Sequence, residues 1–261
     1  MNAVEYIGRT VGFSLAEVGA VFLLLGSAVK AIPKAIKQKK LVADQMLRIG
    51  IGSLPLVLVT SIFTGGVAAV QAAYQFQDYV PMRYLGTVIG KSVVIELGPV
   101  LTALVVGGRV GASIAAELGT MKVTEQIDAL ETLAIDPIRY LVTPRLLAGL
   151  IMLPIITIFA DFIAIIGGFV VARIGLGVST HVYFTGLKLF LHSTDVLSGL
   201  VKALFFGVII AIMGCYHGLR TKGGAEGVGI ATTKAVVSSC LLILITDYIL
   251  ASLLFSAVFA G

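Results

Sequence analysis

The chain has 261 residues, of which 58% are hydrophobic and only 13% charged, with no Trp and a mean hydropathy of +1.04. Soluble domains carry about a quarter charged residues, so this composition excludes a water-soluble domain and predicts an integral membrane protein. The net charge of +5 does not predict nucleic-acid binding, because the basic residues lie between apolar runs and form no continuous stripe.

The first apolar stretch, 11–29, is broken by Glu17. It is read as a helix lying in the membrane interface, in preference to a short span or an uncleaved signal anchor. Lys30, Lys34, Lys37, Lys39 and Lys40 follow, with Arg48 just beyond, and by the positive-inside rule this cluster is cytoplasmic. Five apolar runs come next, at 49–74, 92–108, 146–172, 197–216 and 235–260. Each can cross about 30 Å of hydrocarbon at about 1.5 Å per residue, the second with help from its flanking Lys91 and Arg109. Starting from inside, they leave 14 of the 19 basic residues in cytoplasmic segments and 5 on the outer side, counting Lys202 in the outer half of the fourth run, with the C-terminus outside. The expected fold is an all-α integral membrane protein forming a single transmembrane domain, 1–261. Residues 1–40 are its interfacial helix and basic segment, and 41–261 its five-span core. Cys215 and Cys240 fall at or inside apolar segments, and His181, His192 and His217 stand singly, so neither a disulfide framework nor a metal site is expected.

The centre of the chain carries the most information. Ala103, Gly107, Gly111, Ala115 and Gly119 recur every four residues and put five small side chains on one helical ridge. That ridge serves either packing within one chain or a seam between two copies. Glu96 lies about 7 Å inside the boundary marked by Lys91. An ionised carboxylate there costs about 2.5 to 3.5 kcal/mol, so it must face a partner or a wet cavity. Gly98 and Pro99 follow, and because Pro99 has no N–H to offer the carbonyl of Ile95, a kink is expected beside the acid. Glu96 is thus either half of a structural ion pair or a polar patch on a substrate cavity. Lys202, in the fourth run, shares its depth and is expected to pair with Glu96 or Asp247. Asp161, in the third run, has only hydroxyls such as that of Thr157 nearby.

Beyond the ridge, 124–137 reads TEQIDALETLAIDP. Thr124 is a plausible N-cap, Glu125, Asp128 and Glu131 fall early, and Ile127, Leu130, Leu133 and Ala134 make an apolar face. A short amphipathic cytoplasmic helix between the second and third spans follows, and taken alone it reads as a solvated connector. GTVIGKS at 86–92 has one residue too few between its glycines for a phosphate-binding loop and no strand before it. GGAEGVG at 223–229 is read as a tight cytoplasmic turn before a helix capped by Thr232 or Thr233. Val182, Leu187 and Phe190 suggest an external interfacial helix.

The run ELGPVLTALVVGGRVGASIAAELGTMKVTEQIDALETLAIDPIRYLVTPR closely resembles the MlaE-like permease family, the membrane subunits of ABC transporters that work with Mce-domain proteins. The resemblance continues through AGLIMLPIITIFADFIAIIGG and GAEGVGIATTKAVV and covers 45–261. It implies a non-catalytic, homodimeric permease of the bacterial inner membrane that moves phospholipid or a similar lipid. The other partners it implies are a periplasmic Mce-domain protein, a separate cytoplasmic ABC ATPase and, in some systems, a small cytoplasmic accessory subunit; no cofactor or metal is implied. In the family the segment matching 124–137 looks like the coupling helix that docks on the ATPase, which points to Thr124, Glu125, Gln126, Asp128, Leu130 and Glu131. The positions matching Glu96, Lys202 and Asp247 belong to a polar cluster near the lipid cavity. Val67, Val70, Gln71 and Tyr74, at helical spacing within 63–77, offer a wall. Ile95 departs from the pattern, since relatives often carry Arg there, which removes a charge pair between neighbours. Two other classes compete. An ion-coupled secondary transporter would use Asp161 and Asp247 but usually shows repeated halves, and a membrane-embedded lipid-modifying enzyme would need a nucleophile or metal motif that the sequence lacks.

Overall fold

A computed structural model describes residues 3–35, 38–76 and 80–259, and every regular element among them is helical. Helix α1 (Ala3–Ala35) precedes α2 (Lys39–Phe76). The stretch Met82–Val123 is one helical run of 42 residues. It is built from α3 (Leu85–Ser92), α4 (Gly98–Val106) and α5 (Ala112–Val123), joined by π-helical turns at Val93–Leu97 and Gly107–Gly111. Helix α6 (Gln126–Thr132) follows, and a third π turn, Ile138–Val142, leads into α7 (Thr143–Gly175). The chain ends with α8 (Thr180–Phe190), α9 (Ser193–Leu219) and α10 (Gly224–Phe259). Gln77 of the expected wall segment, Lys37 of the basic cluster and Ala260 at the end of the fifth run lie outside the described residues.

Six stretches are long and apolar enough to cross a membrane. Four contain apolar runs read from the sequence, a fifth covers most of the last run, and the sixth, Leu15–Lys34, lies in α1. Helices α2, α7 and α9 overrun their runs at both ends. The second run was bounded by Arg109, yet its helix goes on to Val123, because no proline or unsatisfied turn interrupts it until Glu125 adopts a left-handed φ of 60°. The last helix starts at Gly224, well before 235. Only Gly223 and Gly224, at φ of 89° and 68°, make the turn, so most of GGAEGVG is already helical. Thr232 and Thr233 are not caps: their hydroxyls donate back to Gly229 O at 2.7 and 3.1 Å from inside the helix.

The small-residue ridge is filled by the same chain. Gly107 and Gly111 face Ile210 of α9, with Ile243 and Ser239 of α10 beside them, and Gly119 meets Thr221 and Val228. Ala103 and Ala115 are fully buried. The seam reading of that ridge is therefore replaced by packing of α4 and α5 against α9 and α10. The larger core gathers Val106, Ile114, Leu118, Leu153, Phe206 and Ile210. A second cluster at the outer end holds Leu85, Ile89, Val93, Ala164 and Tyr183.

Tyr183 anchors α8, an element for which only Val182, Leu187 and Phe190 had been singled out. It is fully buried, its hydroxyl donates to Ile165 O at 3.0 Å, and burial pushes its phenol above the usual range. Thr87 Oγ1 donates to Gly186 O at 2.6 Å, so the glycines of GTVIGKS serve a close approach of α3 to α8.

Candidate functional site

The break expected at Pro99 takes the form of a π turn. Gly98 N–H reaches back five residues to Val93 O, so the helix absorbs one extra residue just where Pro99 cannot donate. Such a turn rotates what precedes it by about 100° relative to a continuous helix. Glu96 sits in it, and Lys202 Nζ donates to Glu96 Oε1 at 2.6 Å. The same Nζ lies 3.0 Å from Asp247 Oδ1, a charge contact that lacks hydrogen-bond alignment. Lys202 thus pairs with both acids rather than one. Its side chain is 1% exposed, against 42% for Glu96 and 20% for Asp247, so the cation is enclosed while one carboxylate stays open to the surroundings. Gly199 sets this geometry from α9. A Cβ there would fall 2.1 Å from Val94 O, so only glycine lets α9 lie on the π turn and bring Lys202, three residues on, alongside Glu96.

On the other side of the same turn, Asp161 Oδ1 lies where a side chain at Gly98 would begin, 1.6 Å from the ideal Cβ position. Asp161 is buried, its Oδ1 has no hydrogen-bond partner, and Thr157 donates instead to Leu153 O at 2.9 Å. The hydroxyl partner suggested by the sequence is therefore not used. With no cation within salt-bridge reach among the described residues, a charge at Asp161 gains nothing. Asp161→Asn is expected to keep or raise stability, because the amide has no charge to hold in hydrocarbon. Unfolding in detergent checks this, and a lower midpoint would mean that the charge is used.

Val67, Val70, Gln71 and Tyr74 line one wall of a groove of about 680 Å³ between α2 and α7. Ile62, Phe63, Gly66, Gly167, Val170 and Val171 complete it. Val67, Val70 and Tyr74 are largely exposed because the opposite face of α2, from Ile49 to Phe76, is the one packed on α7. Glu96, Lys202 and Asp247 do not line this groove. The wall and the charged cluster are two places in the chain.

The cytoplasmic segment differs in detail from its sequence reading. Thr124 closes α5, its hydroxyl donating to Thr120 O at 2.8 Å, and the left-handed Glu125 precedes α6 without a side-chain cap. The helix is short, ending at Thr132, and Ala134, at φ 58°, turns the chain back. Ile127 plugs into the core and Leu130 packs beside it, whereas Leu133, placed on the same apolar face by spacing, is 69% exposed. Gln126 donates to Thr124 Oγ1 at 3.0 Å, Lys122 holds Asp128 at 2.6 Å, and Glu131 is exposed.

Sequence reasoning missed a second ionic group, centred on α5. Glu117 meets Arg145 at 2.9 Å and Arg48 at 3.2 Å, tying α5 to α7 and α2. Arg145 is buried, and its Nη1 donates to Leu141 O at 2.7 Å. The second π turn aims Arg109 at α2, where its Nη1 donates to Ser53 Oγ at 2.9 Å. Glu117 lies two residues from Ala115 and Gly119, on the face opposite the small ridge, so no local pattern pointed to its partners.

The model of the Permease MlaE family matches residues 42–253. The chain belongs to the MlaE permease family. It is a multi-pass, all-α protein of the inner membrane and a permease component of the ABC transporter class. It is 45% identical over 98% of both chains to a probable ABC transporter permease protein of Rickettsia typhi. It is 33% identical over 98% of its length, and 99% of the relative's, to the intermembrane phospholipid transport system permease protein MlaE of Haemophilus influenzae. A third relative of this MlaE permease, 36% identical over 90% of this chain and 67% of its own, is the chloroplastic protein TRIGALACTOSYLDIACYLGLYCEROL 1 of Arabidopsis thaliana.

Proposed function

We propose that this permease moves phospholipid, or a related lipid, between the inner membrane and a periplasmic Mce-domain partner. It does so as a homodimer forming one domain per chain, driven by a separate cytoplasmic ATPase, with a small cytoplasmic accessory subunit as a further partner. The observation that carries this reading is the near full-length match to a phospholipid transport permease, joined to an apolar groove with one polar residue, Gln71, on its wall. A lipid has long apolar chains and a charged head, so it fits a mostly greasy wall with a few polar groups at one depth. A second copy closing over α2 would bring Val67, Val70 and Tyr74 to the space that Glu96, its open side turned outward, also reaches.

The membrane subunit catalyses no reaction of its own in this reading. The coupling residues are Thr124 and Glu125, in the turn before α6, and Gln126, Asp128, Leu130 and Glu131 on α6, with Ile127 as its anchor. Helix α1 is read as interfacial despite its length. Its Ala28 carbonyl takes a hydrogen bond from Thr143 at the start of α7, and Glu17 shares a cavity with Tyr216 and His217 at the end of α9. Two positions eleven residues apart that both meet cytoplasmic helix ends are what a helix lying along the membrane surface would show.

The test is reconstitution of the permease with its ATPase in liposomes. Leu133→Asp is expected to lower lipid-transfer and coupled ATPase rates at least tenfold, because its exposed side chain is free to meet a partner, while the unfolding midpoint stays within error. Transfer that continues without the ATPase, or full coupling in the variant, would contradict the reading.

A further inference from the structure

A second cavity, of about 1000 Å³, opens at the cytoplasmic ends of α9 and α10 and shares no residue with the α2 groove or the charged cluster. Lys122, Arg220, Lys222 and Lys234 line it, against a single lining acid, Glu17 of α1. Lys122 is already paired with Asp128. Among the described residues, Arg220, Lys222 and Lys234 have no carboxylate within 4.0 Å. Among the described residues, three cations without a salt-bridge partner therefore line one concavity. Arg220 is held in place: its guanidinium lies 4.7 Å from the centroid of the Tyr216 ring and donates to the Tyr216 hydroxyl.

The rest of the lining is greasy. Ile230, Val237 and Leu241 are each more than half exposed and fall on one face of α10 at helical spacing. That strip leads from the cations toward the membrane interior. The depth is set by the chain itself, because Arg220 and Lys222 follow the last turn of α9 on the side that the basic asymmetry makes cytoplasmic. A soluble anion would meet the cations but leave the strip unused, and an apolar ligand would leave the cations unpaired. A zwitterionic headgroup brings its own cation into a site that already has a surplus.

We propose that this cavity binds the phosphate of an anionic phospholipid of the cytoplasmic leaflet, with the acyl chains lying along Val237 and Leu241. Cations near such a surface each contribute about fivefold to binding an anionic lipid, and the lipid wedges α1 against α10. The site is independent of what the α2 groove carries, so it stands or falls separately from the transport reading.

The experiment uses the full chain purified in a neutral detergent and relipidated with dioleoylphosphatidylglycerol or, separately, dioleoylphosphatidylcholine, with thermal unfolding as the readout. Phosphatidylglycerol is expected to raise the midpoint in a saturable way and phosphatidylcholine is not. In the Arg220→Gln, Lys222→Gln, Lys234→Gln variant the apparent affinity for phosphatidylglycerol should fall about a hundredfold. Should the triple variant not fold, Lys234→Gln alone is expected to lose about fivefold and Lys234→Arg to retain binding. Equal responses to the two lipids would overturn the proposal, as would an unchanged phosphatidylglycerol response in the variants. Soluble sn-glycerol 3-phosphate is the last arm. If it reproduces the shift, the site takes free phosphate and the lipid assignment fails. If phosphatidylglycerol has no effect on the wild-type chain, the cations serve another partner, such as an acidic protein segment.

Discussion

Lys202→Ala is expected to destabilise the protein by about 3 to 5 kcal/mol, the usual cost of removing one partner from a buried charge group. A single ammonium lies between Glu96 at 2.6 Å and Asp247 at 3.0 Å, with Lys202 almost fully enclosed. Without it, two carboxylates face each other in a membrane-spanning bundle, and the better buried one, Asp247, already lacks an aligned hydrogen bond at Oδ1. Glu96 is more open and recovers part of its solvation, so Asp247 should carry most of the loss. Neutralising all three together, Glu96→Gln, Lys202→Met and Asp247→Asn, should return most of the stability, since no unpaired charge remains. Unfolding by SDS titration of the purified variants checks both statements. Lipid transfer by the triple variant then separates a structural ion group from one that greets the substrate. A stable but inactive triple variant assigns the charges to function, and a stable, active one assigns them to folding.

The second large effect is expected at the crossing of α2 and α7. A Cβ at Gly65 would lie 1.7 Å from Ala164 O, and one at Gly167 would lie 2.2 Å from Ile62 O. Both obstacles are backbone, so neither can swing aside as a flexible side chain would. Gly65→Val and Gly167→Val should each cost about 1 to 3 kcal/mol or more from overpacking, and should abolish transfer by opening the groove whose two walls they join. Gly108 supplies the control, because a side chain there meets nothing within 4 Å. Gly108→Ala is expected to gain about 0.5 to 1 kcal/mol from the lower flexibility of the unfolded chain. Equal tolerance at all three glycines would mean that α2 and α7 do not approach as closely as described.

Much of this architecture was legible because hydrocarbon is an exacting solvent. Apolar runs, basic loops and lone intramembrane acids each have few solutions in it, so five helical stretches and the Lys202 pairing could be read from residue type and depth alone. The proline after Glu96 announced a break, but its form as a π turn depends on Gly98 and on the approach of α9 at Gly199, which no local pattern encodes. The start of the last helix was read poorly: Thr232 and Thr233 do not cap it, because their hydroxyls bond inward to Gly229. The ridge from Ala103 to Gly119 already carried its helix past Arg109, but the Ser53 partner of that arginine is not encoded in any local pattern. Glu117 stayed hidden since its partners, Arg48 and Arg145, are distant in sequence. The segment 124–137 was found to hold a helix but its exposed tip, Leu133, was misplaced, because the left-handed Ala134 rotates the chain just after it.

The helical run from Met82 to Val123 hands the short cytoplasmic helix a direct mechanical line to the acid that Lys202 holds. Only the turn at Thr124 and Glu125 lies between them, so a tug applied at the inner end must shift the whole strut or be taken up at that turn and at the two wide turns. Those turns trade an extra residue of slack for stiffness elsewhere. The shaft is rigid except at the two heights where it carries its ionisable cargo, Glu96 and Arg109.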